Sequence, residues 1–190
     1  RYWLVDPLDG TREFVARRDW FTVNIALLEL GRPILGVVYA PAKDILYFAQ
    51  EGQGAFRKTD EDLAPVRIIN SNDQRDLVAV ASQAAHGPRF EKLCQFLGIR
   101  EVQRMGSAIK LCMVADGSAD VYPRFGNTSE WDTAAAHVIL NEAGCELLDI
   151  RDGMVLRYGK NKLLNHGFVA ARKNLNIADL LARFMREIEK

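Results

Sequence analysis

The runs FTVNIALLEL and PILGVVYAP alternate apolar with polar or small residues closely enough to demand strands with one buried face. The alternation predicts strands from about Phe21 to Leu28 and Ile34 to Tyr39, joined by a Gly31-Arg32-Pro33 turn. DILYFAQEGQGAFRK adds two shorter strands around Gly52 and Gly54. Strands this close in sequence leave no room for the crossover that parallel pairing needs, so an antiparallel meander is expected. TDEDLAPVRIINSNDQRD then reads as a loop, a strand and a connector, placing a domain boundary near Asp76. The expected units are a partial, metal-binding antiparallel-sheet domain over 1–75 and a C-terminal α/β domain over 76–190.

Past that boundary strands alternate with helices. Leu77 to Ala81 reads as a strand, and Arg89 to Leu97 as a helix with Phe90, Leu93, Cys94 and Leu97 at helical spacing before Gly98. GSAIKLCMVADG predicts a helix begun by Ser107 and ended near Gly117, and ADVYPRFG a strand running into a loop. SEWDTAAAHVILNEAG predicts a helix capped at Ser129 and closed by Gly144. Ile177, Leu180, Leu181, Phe184 and Ile188 mark a terminal amphipathic helix.

The 190 residues, 48% of them hydrophobic, suffice for one good core or two modest ones. Lys plus Arg and Asp plus Glu are both 25, and no basic block offers a nucleic-acid footprint, so an anionic ligand must be met by a local site. Cys94, Cys112 and Cys145 are odd in number, widely spaced and set in apolar patterns, as reduced core cysteines of a cytoplasmic protein would be. No apolar run approaches the ~20 residues of a membrane span, and no signal peptide is present; peripheral attachment at the inner membrane face and the oligomeric state are left open. The chain begins without Met inside a strand-like run, which implies an upstream part.

That run, RYWLV, reads as buried and leads directly into DPLDGTREF. A tight turn uses one Asp and Gly10; a second carboxylate three residues earlier, across Pro7, is more than a turn requires. An aspartyl-phosphate motif of the Asp-x-Asp-Gly-Thr kind places its acids two apart on one strand face, whereas Asp6 and Asp9 are three apart and converge only through a bend. A calcium loop would need alternating oxygen ligands and a closing Glu. A magnesium site fits better, because the bent Asp-Pro-Leu-Asp offers two carboxylates together with the Leu8 carbonyl. If GTREFV opens a short helix, the Gly10 and Thr11 N–H groups point at a phosphate held by the metal. A capped turn with solvated acids is the plainer alternative.

In SEWDTAAAH, Asp132 follows Ser129 by three residues, as the carboxylate of a capping box does. Trp131, Ala134, Ala135 and Ala136 imply that this helix start packs closely against something, and a buried carboxylate then needs donors or a cation. A metal shared with the first turn meets that need.

WLVDPLDGTREF and WDTAAAHVILNEAG together resemble the two signatures of the inositol monophosphatase superfamily of lithium-sensitive, magnesium-dependent phosphomonoesterases. FTVNIAL, GRPILGVVYAP and ADVYPRFG are more similar to its 3'(2'),5'-bisphosphate nucleotidases of the CysQ type than to the inositol phosphatases. The likeness covers nearly the whole chain, weakening between Arg57 and Asp76 and after Gly167. It implies an α/β fold, the layered αβαβα sandwich of the inositol monophosphatase/fructose-1,6-bisphosphatase type without its N-terminal helical part.

The resemblance further implies that Asp6 bridges two Mg2+ ions, that the Leu8 carbonyl serves one, and that Asp9 and Asp132 hold the other. Thr11 would orient the attacking water, and the Gly10 and Thr11 amides would hold the phosphate. Family members complete the metal site with an upstream Glu-Glu motif that nothing before Arg1 supplies, so these residues alone are expected to bind magnesium weakly and turn over little. The implied substrate is 3'-phosphoadenosine 5'-phosphate. The alternatives are an inositol or sugar phosphatase with the same metals, and a catalytically incomplete nucleotide- or phosphate-binding fragment.

Lys110 falls in the first turn of the Ser107 helix, where the dipole disfavours a cation unless an anion is near, and so points to a second phosphate. The positions matching Ser107, Lys110 and Arg124 line the nucleotide site in the bisphosphate nucleotidases, and His86 falls near a histidine used there. Ser107 as a plain cap, Lys110 and Arg124 as solvated charges and His86 as a surface-loop residue are the alternatives.

Overall fold

The computed structural model describes residues 1–66, 76–83 and 87–188. Its first half is a six-stranded antiparallel meander of β1 (Tyr2–Asp9), β2 (Thr22–Glu29), β3 (Arg32–Ala40), β4 (Ile45–Gln50), β5 (Gly54–Lys58) and β6 (Leu63–Val66), paired in chain order. The β2–β3 connection is tighter than the sequence suggests. Leu30 and Gly31, with φ of 50° and 74°, form a two-residue turn of the kind that matches strand twist, and Arg32 and Pro33 already belong to β3. Pro33 is tolerated because a register shift between Leu27 and Leu28 lies opposite it.

The second half builds a five-stranded sheet from β7 (Val78–Ala81), β8 (Glu101–Arg104), β9 (Val121–Arg124), β11 (Cys145–Asp149) and β13 (Phe168–Arg172), in spatial order β11-β13-β9-β7-β8. Strands β10 (Thr128–Ser129) and β12 (Leu164–Asn165) form a separate small ladder. After the five-residue α1 (Thr11–Val15), the helices are α2 (Pro88–Phe96), α3 (Ile109–Ala115), α4 (Ala134–Glu142) and α5 (Ile177–Ile188). Helices α3 and α4 lie between the two sheets. Ala26, Leu28, Val38, Tyr47 and Ala49 of the first sheet share one buried cluster with Ile109, Leu111, Val138, Ile139 and Leu147. On the far side of the second sheet, Leu93 of α2 and Ile177, Leu181 and Phe184 of α5 cover Ala79, Val121 and Val169. The Ile188 side chain lies outside the described residues.

These are the four layers expected of an αβαβα sandwich without its N-terminal helical part. The outer face of the first sheet, which a fifth would cover, carries Val5, Ile25, Val37, Phe48 and Phe56 as successive cross-strand partners. Val5 and Trp3 on this face are 50% and 57% exposed. RYWLV is therefore an open edge strand and not the buried one that its composition suggests. Its apolar residues alternate onto a face that no described helix covers.

The alanines after Asp132 behave as their size predicts. A Cβ at Gly36 of β3 would lie 2.0 Å from the Ala135 carbonyl oxygen, so α4 rests its own backbone on the first sheet. Gly36→Ala should lower stability by about 3 kcal/mol, at the upper end of overpacking costs, because the clash is with backbone that cannot rotate away. Chemical denaturation of the variant against the parent checks it.

Candidate metal and phosphate site

β1 runs through Pro7, with Asp6 opposite Asn24 and Asp9 opposite Thr22. Three steps on β1 thus face two on β2, and the extra residue is a bulge. Acids three apart on a straight strand would point to opposite faces; the bulge turns them to one side. The Leu8 N–H donates to Asp6 Oδ1 at 3.0 Å, an Asx turn across the proline, and the Thr11 hydroxyl reaches the Leu8 carbonyl at 3.4 Å. Asn24, almost wholly buried, donates to Asp9 Oδ2 at 3.4 Å. Gly10 supplies the left-handed φ of 86° that starts α1.

The third acid arrives from the other half of the chain. The expected helix from Ser129 is broken in two: Glu130–Asp132 form a 3-10 turn, and α4 begins only at Ala134. The Ser129 N–H donates to Asp132 Oδ2 at 2.8 Å, so the capping interaction is made. Asp132 also meets the first turn, for oxygens of Asp6, Asp9 and Asp132 all lie within 4.8 Å of one another. Three acids this close repel. Burial raises the Asp9 carboxyl above its usual range, Lys110 opposes the rise and Asp6 adds to it. Asp132 is pushed up to about 7 by burial, against the Ser129 N–H and with the Asp9 and Asp6 charges adding. An all-oxygen set of three crowded carboxylates with the neighbouring Leu8 carbonyl fits a hard divalent cation, which would relieve that repulsion.

A cavity of about 420 Å³ opens beside these acids, and Gly10, Thr11, Ser107, Lys110, Arg124, Asp9 and Asp132 all line it. Ser107 does not cap a helix. It takes a left-handed φ of 51°, α3 starts two residues later, and its Oγ is buried without a partner. A non-glycine residue held in that conformation is a local strain of the sort found at ligand sites. Lys110 is 3% exposed and so is not a solvated charge. Its ammonium donates to the Ser107 carbonyl and stands 5.3 Å from the centre of the Tyr122 ring. Burial lowers its pKa to about 8, with Asp9 resisting. Arg124 donates through Nη1 to Ser82 Oγ at 2.9 Å, and its buried Nε has no partner. His86 lies outside the described residues.

The sequence reading missed the frame behind Asp132. Asn165 Nδ2, from β12, lies within 3.2 Å of the Thr128 hydroxyl, the Ser129 carbonyl and the Thr133 hydroxyl, spanning the whole turn. Fully buried Glu130 accepts from the Gly159 and Lys160 N–H groups and pairs with the Lys160 ammonium at 2.8 Å. Tyr158 donates to Thr133 at 3.2 Å and therefore accepts from His137 Nδ1 at 2.9 Å. A two-residue strand and a lone Glu carry no periodic signal, so nothing in the sequence announces this frame.

Burial depresses the His137 pKa to about 4, from 6.5. The neutral ring is favoured on folding, so its contribution is complete above pH 6.5 and lost as pH falls toward 4, on the order of 3 kcal/mol in all. His137→Asn keeps a donor for Tyr158 without titrating. It should flatten the loss of stability between those pH values in denaturation curves.

Comparison with known proteins matches this chain to the model described as "Inositol monophosphatase family" over residues 1–190. The 3'(2'),5'-bisphosphate nucleotidase CysQ of Salmonella typhimurium is 45% identical over 88% of this chain and 67% of its own length, and that of Escherichia coli K12 is 44% identical over the same shares. The crystal structure of CysQ from Bacteroides thetaiotaomicron superposes with a TM-score of 0.80 at 41% identity, covering 90% of this chain and 69% of that one. Inositol monophosphate-bound SaIMPase-II gives a TM-score of 0.79 at 25% identity, over 97% of this chain and 70% of that one. Its layered sheets, its bulged acidic strand meeting the Asp132 turn, and these matches along its length make the chain a member of the inositol monophosphatase family.

Proposed function

We propose that this chain is the catalytic part of a Mg2+-dependent phosphomonoesterase that hydrolyses 3'-phosphoadenosine 5'-phosphate to AMP and phosphate. One observation carries the reading. The cavity lined by Asp9 and Asp132, whose oxygens meet those of Asp6, is also lined by Ser107, Lys110 and Arg124, two cations and a hydroxyl that suit a second phosphate. Its most similar relatives named above are bisphosphate nucleotidases.

Bound Mg2+ would supply an acidified water for attack on phosphorus and stabilise the leaving ribose oxygen, so no covalent enzyme intermediate is required. Asp6, Asp9, Asp132 and the Leu8 carbonyl hold the cations. Thr11, within reach of that carbonyl, orients the water, and the Gly10 and Thr11 amides hold the reacting phosphate. Lys110, Arg124 and Ser107 receive the second phosphate, and the unpartnered Ser107 Oγ and Arg124 Nε are the groups it would satisfy. We also treat 1–75 and 76–190 as two units that meet at this cavity. Three free cysteines suit a reducing cytoplasm, and no described helix is long and apolar enough to cross a membrane.

A substrate panel with magnesium, with and without lithium, tests the reading. Phosphate should be released faster from the bisphosphate nucleotide than from inositol 1-phosphate, and lithium should inhibit. The reverse order would favour an inositol phosphatase, the second reading that the likeness to SaIMPase-II supports. Nucleotide binding with no release under any condition would favour a binding fragment.

A further inference from the structure

A second cavity, of about 360 Å³, lies between α4, the β2–β3 turn and the segment 155–158, and shares no lining residue with the first. The two stand back to back. Tyr158 lines the second and Thr133 the first, and the Tyr158 hydroxyl donates to Thr133 at 3.2 Å. The β2–β3 turn is pressed onto the segment 155–158: the Gly31 carbonyl accepts from the Tyr158 N–H at 3.3 Å, and a Cβ at Gly31 would lie 3.1 Å from the Tyr158 carbonyl oxygen. The His137 ring, 2% exposed, forms part of the wall, and its Nε2 is buried without a partner. The hydrogen bonds behind the ring fix the state of that nitrogen. The single Thr133 hydroxyl proton goes to the Glu130 carbonyl at 3.2 Å, so the Tyr158 proton goes to Thr133 and the Nδ1 proton to Tyr158. Burial keeps the ring neutral. Nε2 is therefore a bare acceptor, and a buried acceptor calls for a donor.

The other polar groups of the wall supply charge. Arg32 is paired with Glu51 at 3.5 Å, whereas the Arg157 guanidinium and the Asn141 amide have no partner among the described residues. Asn141 follows His137 by one turn of α4, so the two stand on one face. We propose that this cavity is a second binding site, for a small hydroxycarboxylate of the sugar-acid kind, its carboxylate on Arg157 and a hydroxyl donating to His137 Nε2. One unpaired guanidinium suits a monoanion better than a dianionic phosphate. A bare anion would meet the Nε2 lone pair with another and leave it unsatisfied, and a neutral polyol would leave Arg157 unpaired. The two groups together therefore select a molecule that carries both charge and a donor. The volume is in the range of small-ligand sites. The inference does not rest on the phosphatase reading, because none of its residues lines the first cavity.

The test uses the chain labelled with 15N at histidine, free of divalent cations, and gluconate as the probe. Mannitol offers hydroxyls without charge, and hexanoate charge without hydroxyls. Gluconate should move the Nε2 resonance of His137, identified by its loss in His137→Asn, in the direction of an accepted hydrogen bond. By calorimetry it should bind about tenfold or more tighter than either control. Arg157→Ala should weaken gluconate by about tenfold and leave mannitol unchanged. That side chain is exposed and unpaired, so this variant keeps the test open if His137→Asn fails to fold. A His137 resonance unmoved by gluconate up to about 10 mM would show that the cavity holds water alone. Gluconate no tighter than the two controls, or undiminished in Arg157→Ala, would show that charge and hydroxyl are not read together at this place. Each of these three results overturns the site.

Discussion

Replacing Asp9 by Asn is expected to lower phosphatase turnover by about 10³-fold or more while the metal-free chain melts no lower than the parent. Both halves follow from the same crowding. Asp9 is half-buried beside Asp6 and in reach of Asp132, so a neutral amide there removes a charge that desolvation and Asp6 both oppose. Asn24 can still pair with the amide oxygen. A cation, however, loses an anionic ligand. Asp132→Asn makes the sign sharper. Its folded pKa of about 7 lies above the ordinary carboxylate range, so metal-free stability is fullest below about pH 4 and declines as pH rises through 7. The Asn variant retains an acceptor for the Ser129 N–H and escapes that decline, gaining about 1 to 3 kcal/mol at pH 8 without metal. Added Mg2+ should reverse the order by stabilising only the parent. Thermal melts with and without Mg2+, beside a phosphate-release assay, read both effects; a variant that melts lower in the absence of metal would show that these acids are structural.

Lys110→Ala is expected to weaken binding of adenosine 3',5'-bisphosphate by about 10- to 100-fold, with a smaller loss for adenosine 3'-monophosphate, which lacks the second phosphate. Lys110 is wholly enclosed, so its ammonium is spared the screening that makes surface cations weak ligands. The charge also faces Asp9, and this separates two roles. If Lys110 served chiefly as a counter-ion for the acids, its removal would leave them a stronger cation site and affect both nucleotides alike. If it receives the second phosphate, the losses diverge. Parallel nucleotide and Mn2+ titrations distinguish these cases, and equal nucleotide losses would remove Lys110 from the specificity site.

Much of the meander was legible because alternation has only one structural meaning at that length. The β2–β3 turn is Leu30-Gly31 and not Gly31-Arg32-Pro33, because turn type depends on the φ of Leu30 and Gly31, which composition does not reveal. The second sheet was harder to read. EVQR forms β8 on the strength of parallel pairing with β7, not of its own pattern, and β10 and β12 are two residues each. At the site, Asp6 and Asp9 were readable as one carboxylate more than a turn requires, and Asp132 as a capping-box acid whose neighbouring small residues imply close packing. Ser107 was misread as a cap. A serine before a helical pattern looks the same whether its φ is negative or, as here, 51°.

By itself, the sequence determined which residue types were available and where local rules were broken: a proline between two acids, an alanine run after a third, a lysine where a helix dipole opposes it. Only the tertiary structure decided that these breaks are one feature. The bulge in β1 turns Asp6 and Asp9 to the same side, and Gly36 lets α4 settle on the first sheet so that Asp132 can meet them from over 100 residues away. That meeting is a matter of three-dimensional packing between surfaces remote in sequence, and local patterns report only which face of each element is apolar. The approach of the turn 106–108 to the start of α1 is of the same kind, for it depends on two glycines and a carbonyl that no motif joins.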